Sequence, residues 1–552
     1  MDTKKIRECF RDRENCFFAL WFLWMAVYYG VRMFTLTPWY DELYTYYYFI
    51  GRGPVYAALH WPLPNNHVGY SVLSGILDQL GDPYIGLRGV SYVSALASLI
   101  LLYRIGRKHL KHGWSFCCVA LYSGMNLVNQ LAVQGRGYAL AAACFLTALF
   151  MLQRIGFGEG TGTRAEVKDH AVFSLSLTLG LYVLPSSVYW VLPLCMIGGT
   201  FLLLYRKKRK LLHLIAASAI AAVNTVFLYT LIWLAIGSNL LSKTEGGVYY
   251  GQGHVSIILS APFQSVKTGI GYMLATPYIQ SVEREGYFAA FAVWLRSLLN
   301  YFYSRAGIVL AAVIAAGSVA AAVSGVKAYR ADRMAAWSGK AHQADAAGPG
   351  GGEKQKQVFF SLLIAGMMIL TPVVLVLQCK LPYFRVFSYM GIPLALLLAM
   401  LLQSAAEAVW KRLRTVTDFL SGHDGACLKI LAAVSALFAI VLLLSKDYNN
   451  EYGVTEYYAK DALSHAGVTE RERICVTDCY QQYLLRFCYG IECEDMQIEG
   501  ADLVLIHREM EQQEPEVFRW EFYQNYESIP WEYLKGMEPV YENREYVVYV
   551  KQ

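Results

Sequence analysis

The stretch WYDELYTYYYFI, Trp39 to Ile50, sets two adjacent carboxylates, Asp41 and Glu42, directly behind a long apolar run. Carboxylates at the edge of a bilayer are costly unless paired or wet, which makes them candidates for chemistry. Partial burial also raises a carboxylate's pKa toward the range useful to a general base. Read that way, Asp41 takes a proton from a hydroxyl at the membrane surface. A structural reading stands beside it: Asp41 caps a short interfacial helix, Glu42 to Ile50, stopped by Gly51-Arg52-Gly53-Pro54. The two readings are compatible.

Three further clusters carry polar groups at the edges of apolar segments. In WPLPNNHVGYSVLSGIL, two prolines enforce an extended approach to Asn65, Asn66 and His67. Asn65 or Asn66 caps a helix whose apolar positions Val68, Val72, Ile76 and Leu80 recur every four residues. In QGRGYAL, Arg136 opens an apolar helix, either snorkelling to headgroups or binding a phosphate, and Gly135 and Gly137 permit close approach. In KLPYFRVFSYMGIPLAL, Lys380 and Arg385 flank a short turn, and the planar guanidinium of Arg385 suits phosphate oxygens. The segment Ser238–Ser304, with His254, Glu283, Arg284 and Glu285, reads as interfacial helices and turns whose polar groups are mostly solvated.

The elements that must position these residues are membrane spans. Of 552 residues, 56% are hydrophobic and only 16% charged, and apolar runs long enough to cross a bilayer recur along most of the chain. The pattern predicts an all-α polytopic bundle of eleven spans: Phe17–Thr37, Ile85–Tyr103, Trp114–Asn129, Gln134–Leu152, Ala171–Val183, Ser187–Tyr205, Leu211–Gly237, Ile308–Val326, Val358–Leu377, Phe384–Leu402 and Ile430–Leu444. Five basic segments, from the N-terminus to Lys411–Arg414, fall on one side of that arrangement. The positive-inside rule makes that side cytoplasmic. The N-terminus is then cytoplasmic, as is a Gly/Ala-rich linker at 327–357, and the loops at 38–84 and 238–304 are external. The formal charge of +6 conceals an acidic tail with 22 acids against 10 bases from Lys446 onward. The remaining excess of bases lies in short loops, so it orients a membrane protein and does not imply nucleic acid.

Residues 1–445 thus read as a transmembrane domain and 446–552 as a small extracytoplasmic α/β domain. RICVTD, ADLVLIH and YVVYV have strand character; Cys479–Tyr489 and Pro515–Asn525 have helical character. Cys475, Cys479, Cys488 and Cys493 are disulfide candidates on an oxidising face, and their spacings match no standard zinc pattern.

WYDELYT, NNHVGYS, RGYAL and PYFRVFSYMGIPLAL occur in the same order as in multi-pass GT-C glycosyltransferases. Over Phe10 to Leu402 the chain resembles the bacterial family 39 branch, related to protein O-mannosyltransferases and lipid A aminoarabinose transferases. The resemblance implies transfer of a sugar from a polyprenyl-phosphate donor on the outer face of a bacterial cell membrane. It matches Asp41 to an essential aspartate of the first external loop and Glu42 to the acid that follows it. Arg136 and Arg385 match positions where relatives tend to keep arginine. Tyr138 and Tyr383 lie beside them, and with Lys380, Asn65, Asn66 and His67 they complete the candidate substrate-binding set. Many relatives read His-Pro-Pro-Leu where this chain has Pro64-Asn65-Asn66-His67, and the acidic tail has no counterpart in the aminoarabinose transferases.

The implied reaction is inverting. Asp41 deprotonates an acceptor hydroxyl of a glycan, lipid or protein, and Arg385, with Lys380 or Arg136, meets the donor phosphate. Asp41 and Arg385 are expected around one outward-opening cavity. No cofactor is required by the sequence. A divalent metal is compatible with it, with Glu42 and His67 as candidate ligands. Two alternatives are a lipid-linked sugar flippase or polysaccharide exporter and an envelope-assembly scaffold. The first calls for polar residues deep inside the spans, whereas here they gather at span ends.

Overall fold

A computed structural model of the protein describes residues 12–60, 66–159, 162–238, 253–275, 279–337, 352–414, 424–444, 454–468, 473–476, 479–493, 498–508 and 530–551. Asn65, the helix expected over Pro515–Asn525, residues 338–351 of the linker and the side chain of Cys479 lie outside the described residues.

Backbone polar groups in hydrocarbon must be satisfied within the chain, so the apolar runs fold as helices. Among the described residues, eight helices are long and apolar enough to cross a membrane: Arg13–Thr35, Pro83–His109, Tyr138–Phe157, Pro185–Leu204, Lys208–Ala235, Gly307–Ala335, Glu353–Gln378 and Phe384–Val409. A ninth is broken: Trp114–Ser123 and Asn126–Val133 meet at 71°. The other two predicted spans also form helices. One, Thr163–Val183, carries Arg164, Glu166, Lys168 and Asp169 in its first turns, and the other is the shorter apolar stretch Lys429–Leu444. The protein is therefore a polytopic helical membrane protein with a small C-terminal sheet.

The break within the ninth span corrects the expectation of a single span over Trp114–Asn129. The chain bends at Gly124-Met125 and resumes as helix through Val133. A bend disturbs the carbonyl bonding where water cannot reach, and side chains supplement it. Asn129 Nδ2 donates to the carbonyls of Ser123 (2.5 Å) and Met125 (2.8 Å), and the Tyr303 hydroxyl donates to that of Leu121 (2.7 Å).

The chain forms two compact units. The first comprises Met1–Val31, Ala58–Tyr70 and Val90–Ser445, and the second Arg32–Ala57, Ser71–Gly89 and Lys446–Gln552. In the first unit, helix Tyr138–Phe157 is buried along almost its whole length and packs on Thr163–Val183. Thr163–Val183 packs in turn on Lys208–Ser238, and Gly307–Trp337 packs on Glu353–Gln378. A two-stranded ladder pairs β1 (Ile279–Ser281) with β2 (Lys380–Pro382), placing Lys380 opposite Ser281.

In the second unit a four-stranded sheet runs in the order β3-β4-β6-β5, from β3 (Ile474–Val476), β4 (Leu503–His507), β5 (Glu538–Glu542) and β6 (Tyr546–Val550). β3 and β4 are parallel, joined through helix Cys479–Tyr489, while β4–β6 and β6–β5 are antiparallel. Every residue of β4 is buried, as a central strand covered on both faces requires. Cys475 and Cys488 are free thiols: Cys475 packs in the sheet core with Val504 and Ile506, and Cys488 lies beside the Tyr84 hydroxyl, while Cys493 donates to the Ile474 carbonyl.

Candidate functional site

In the second unit, Asp41 and Glu42 lie in the first turn of helix Tyr40–Tyr48. The helix begins one residue before Asp41, with Trp39 as its N-cap, so Asp41 is inside the helix and is not its cap. The capping side chain belongs to Glu42, whose Oε2 accepts the Trp39 backbone N–H at 2.8 Å. Asp41 is half-buried and Glu42 only 2% exposed.

A buried carboxylate needs a partner, and Glu42 has one that sequence reading passed over. Arg88 binds it through two parallel hydrogen bonds, Nε to Oε1 at 2.8 Å and Nη2 to Oε2 at 3.0 Å. The same guanidinium donates to the carbonyls of Met33 (2.9 Å), Leu36 (2.8 Å) and Thr37 (3.3 Å). It thereby ties the end of helix Arg13–Thr35 to the start of helix Tyr40–Tyr48. Five donor contacts from one fork satisfy both the charge and the orphan carbonyls. The signal was in the sequence: Arg88 is a lone arginine among the apolar residues of PYIGLRGVSYV.

In the first unit, residues remote along the chain gather around His67. Its Nδ1 accepts the Gly137 backbone N–H at 2.9 Å, and its Nε2 lies 3.3 Å from Nη2 of Arg136. Since Nδ1 is an acceptor, the neutral ring carries its proton on Nε2, so the contact with Arg136 is a close electrostatic approach. Burial, reinforced by the positive charges of Arg136 and Arg385, holds the His67 pKa well below the usual histidine value. The ring meets that of Tyr138 edge-on at 5.2 Å, and the Arg385 guanidinium lies 6.0 Å from the Tyr138 ring and 5.1 Å from that of Tyr383. Arg136 is only 2% exposed and directly precedes the N-terminus of helix Tyr138–Phe157, whose dipole adds to the same positive field.

The turn that holds this group needs glycine at 137. A Cβ there would fall 2.4 Å from Val183 Cγ1 and 3.2 Å from His67 Nδ1. The close approach anticipated for the glycines of QGRG is thus, at Gly137, made by Val183 and His67.

The structure therefore brings together His67, Arg136, Tyr138, Tyr383 and Arg385 in the first unit, and Asp41 and Glu42 with Arg88 in the second. Asn66 is buried and donates to the His60 carbonyl at 2.6 Å, and the Lys380 backbone lies in the β1–β2 ladder. Glu42 and His67, the candidate metal ligands, are engaged as described: both Glu42 oxygens accept from Arg88, and the His67 ring lies between a backbone N–H and a guanidinium. Among the described residues, the group with metal-ligand proximity is Asp12, Glu14 and His112, and Arg107 already pairs with both acids at 2.7 and 2.6 Å.

No family model and no curated protein matches the chain. Among solved structures it is similar to the archaeal oligosaccharyltransferase AglB from Archaeoglobus fulgidus, in complex with an inhibitory peptide and a dolichol-phosphate. That match has 11% identity and a TM-score of 0.42, and covers 77% of this chain and 55% of that one. A second Archaeoglobus fulgidus oligosaccharyltransferase structure, tethered to an acceptor peptide containing the NVT sequon, matches over the same shares at 12% identity and a TM-score of 0.36. The chain spans little more than half the length of these proteins.

Proposed function

We propose that the protein is a membrane glycosyltransferase that moves a sugar from a polyprenyl-phosphate donor to an acceptor hydroxyl on the extracytoplasmic face, with inversion. The observation that carries the reading is the gathering of Arg136 and Arg385, 249 positions apart in the sequence, around a neutral His67. Two guanidiniums beside an uncharged imidazole suit a phosphate. The ordered motifs around Asp41, Asn66-His67, Arg136 and Arg385 support the sugar-phosphate class.

In this reading Asp41 accepts the proton of the acceptor hydroxyl as its oxygen attacks the anomeric carbon. The bond from that carbon to the phosphate oxygen breaks on the opposite face, and its electron pair leaves with the lipid phosphate. Arg385 and Arg136 stabilise the charge that develops there. Glu42 does not react: it is a positioning residue that fixes the first turn of the Asp41 helix through Arg88. His67, kept neutral, adds neither a proton-transfer step nor a third positive charge.

The test is incubation of purified protein with a panel of radiolabelled polyprenyl-phosphate sugars, following label release or transfer. At least one donor should be consumed, and Arg385→Lys should lower kcat roughly 100-fold, because an ammonium cannot reproduce the planar fork. Failure of every donor, or full activity of Arg385→Lys, would refute the reading.

A further inference from the structure

The second unit contains a cavity of about 560 Å³ that the reaction described above does not use. Its walls include Tyr46, Tyr47, Arg52, Asp78, Arg486 and Glu492. Tyr46 and Tyr47 end the helix that begins beside Asp41, Arg52 follows in the next turn, and Arg486 and Glu492 come from the C-terminal tail. The volume lies within the range of small-molecule sites.

The walls are already organised. The Arg486 guanidinium sits 4.8 Å over the Tyr47 ring and pairs with Glu492 at 3.2 Å. Tyr47 stacks on Tyr483 at 5.4 Å, and Tyr46 meets Phe487 edge-on at 5.2 Å. Arg52 donates to the Tyr56 hydroxyl at 2.9 Å and lies 5.6 Å over the Tyr48 ring. Asp78 faces the Tyr46 hydroxyl.

This chemistry selects a class of ligand. Two guanidiniums and two carboxylates in one cavity disfavour any ligand of a single strong charge, a phosphate included. So many charged and hydroxyl groups disfavour a lipid chain. A polyol satisfies both: its hydroxyls donate to carboxylates and accept from guanidiniums, while the C–H faces of its rings pack on tyrosine. Tyr46 lies five residues beyond Asp41 on one helix, about 8 Å along its axis. A chain of several sugar units presenting a hydroxyl to Asp41 is long enough to pass round the helix to this cavity.

We infer that the cavity lined by Tyr46, Tyr47, Arg52, Asp78, Arg486 and Glu492 is a saccharide site that holds the acceptor glycan. The acceptor assignment rests on the transferase reading; the saccharide site does not. The tail would then supply acceptor recognition, and its wall residues would set which glycan is modified.

The test uses the detergent-solubilised full chain and a panel of soluble neutral oligosaccharides of one to four hexose or N-acetylhexosamine units, read by saturation-transfer NMR without donor. At least one saccharide should bind. Arg52→Ala/Arg486→Ala should weaken it about ten-fold or more, while Lys535→Ala, exposed and outside the cavity, should bind like the parent. No binding by any member, or undiminished binding by the double variant, would overturn the inference. The binding saccharide is then offered with labelled donor. Label on it supports the acceptor assignment, and donor consumption without label on it overturns that assignment alone.

Discussion

Arg88 and Glu42 form a bidentate ion pair, at 2.8 and 3.0 Å, with both side chains almost fully withdrawn from solvent. Glu42 caps its own helix while Arg88 collects three carbonyls from the preceding segment, so the pair sets the path of the chain on either side of Asp41. Removing one member leaves an uncompensated buried charge. Glu42→Leu and Arg88→Met should each cost about 3–5 kcal/mol in unfolding experiments in detergent, and the double substitution should cost less than their sum. Strict additivity would mean the two charges do not depend on each other.

Gly137 is constrained by its neighbours. Gly137→Ala would drive a methyl group into Val183 and against His67, costing about 1–3 kcal/mol and displacing the ring that accepts the Gly137 N–H. Val183→Ala removes the nearest contact, at 2.4 Å, and should recover part of the loss in the double variant. Thermal unfolding of the three variants checks this. Absence of any rescue would show that the cost arises elsewhere.

His67 predicts a pH effect with a definite sign. Its pKa in the fold lies well below the ordinary value of 6.5, held there first by burial and then by Arg136 and Arg385. Below pH 6.5 the unfolded chain takes up a proton that the folded chain refuses. The stability associated with neutral His67 is thus fully present above 6.5 and declines as pH falls toward the depressed value. His67→Gln should flatten the decline in unfolding temperature between about pH 7.5 and about pH 5.5. An unchanged slope would assign the acid sensitivity to other groups.

Much of this architecture was legible because membrane helices announce themselves by length and apolarity, and the tail helix Cys479–Tyr489 was read with its observed bounds. What escaped depended on tertiary contacts. The break at Gly124-Met125 leaves the Ser123 carbonyl to the Asn129 side chain, with Tyr303 added at Leu121, which no local pattern reveals. β5 was missed because EPVYE contains a proline and is mostly exposed, as an edge strand can be. The Asp-Glu pair was recognised, but the cap was assigned to Asp41. Glu42 holds that position because Arg88, 46 residues later, fixes its carboxylate. Arg136 and Arg385 were each singled out as phosphate-binding candidates, while their approach to His67 and the neutrality of its ring emerge only from tertiary packing.

In the proposed sugar transfer Asp41 is the base, and Glu42 holds its helix. The most direct measurement is the rate of label transfer from the accepted polyprenyl-phosphate sugar by the parent protein and by Asp41→Asn, at equal amounts of folded protein. The substitution preserves size and removes the basic oxygen, and the rate should fall roughly 10²- to 10⁴-fold with little change in unfolding temperature. Transfer at the parental rate by a folded Asp41→Asn protein would rule out Asp41 as the base.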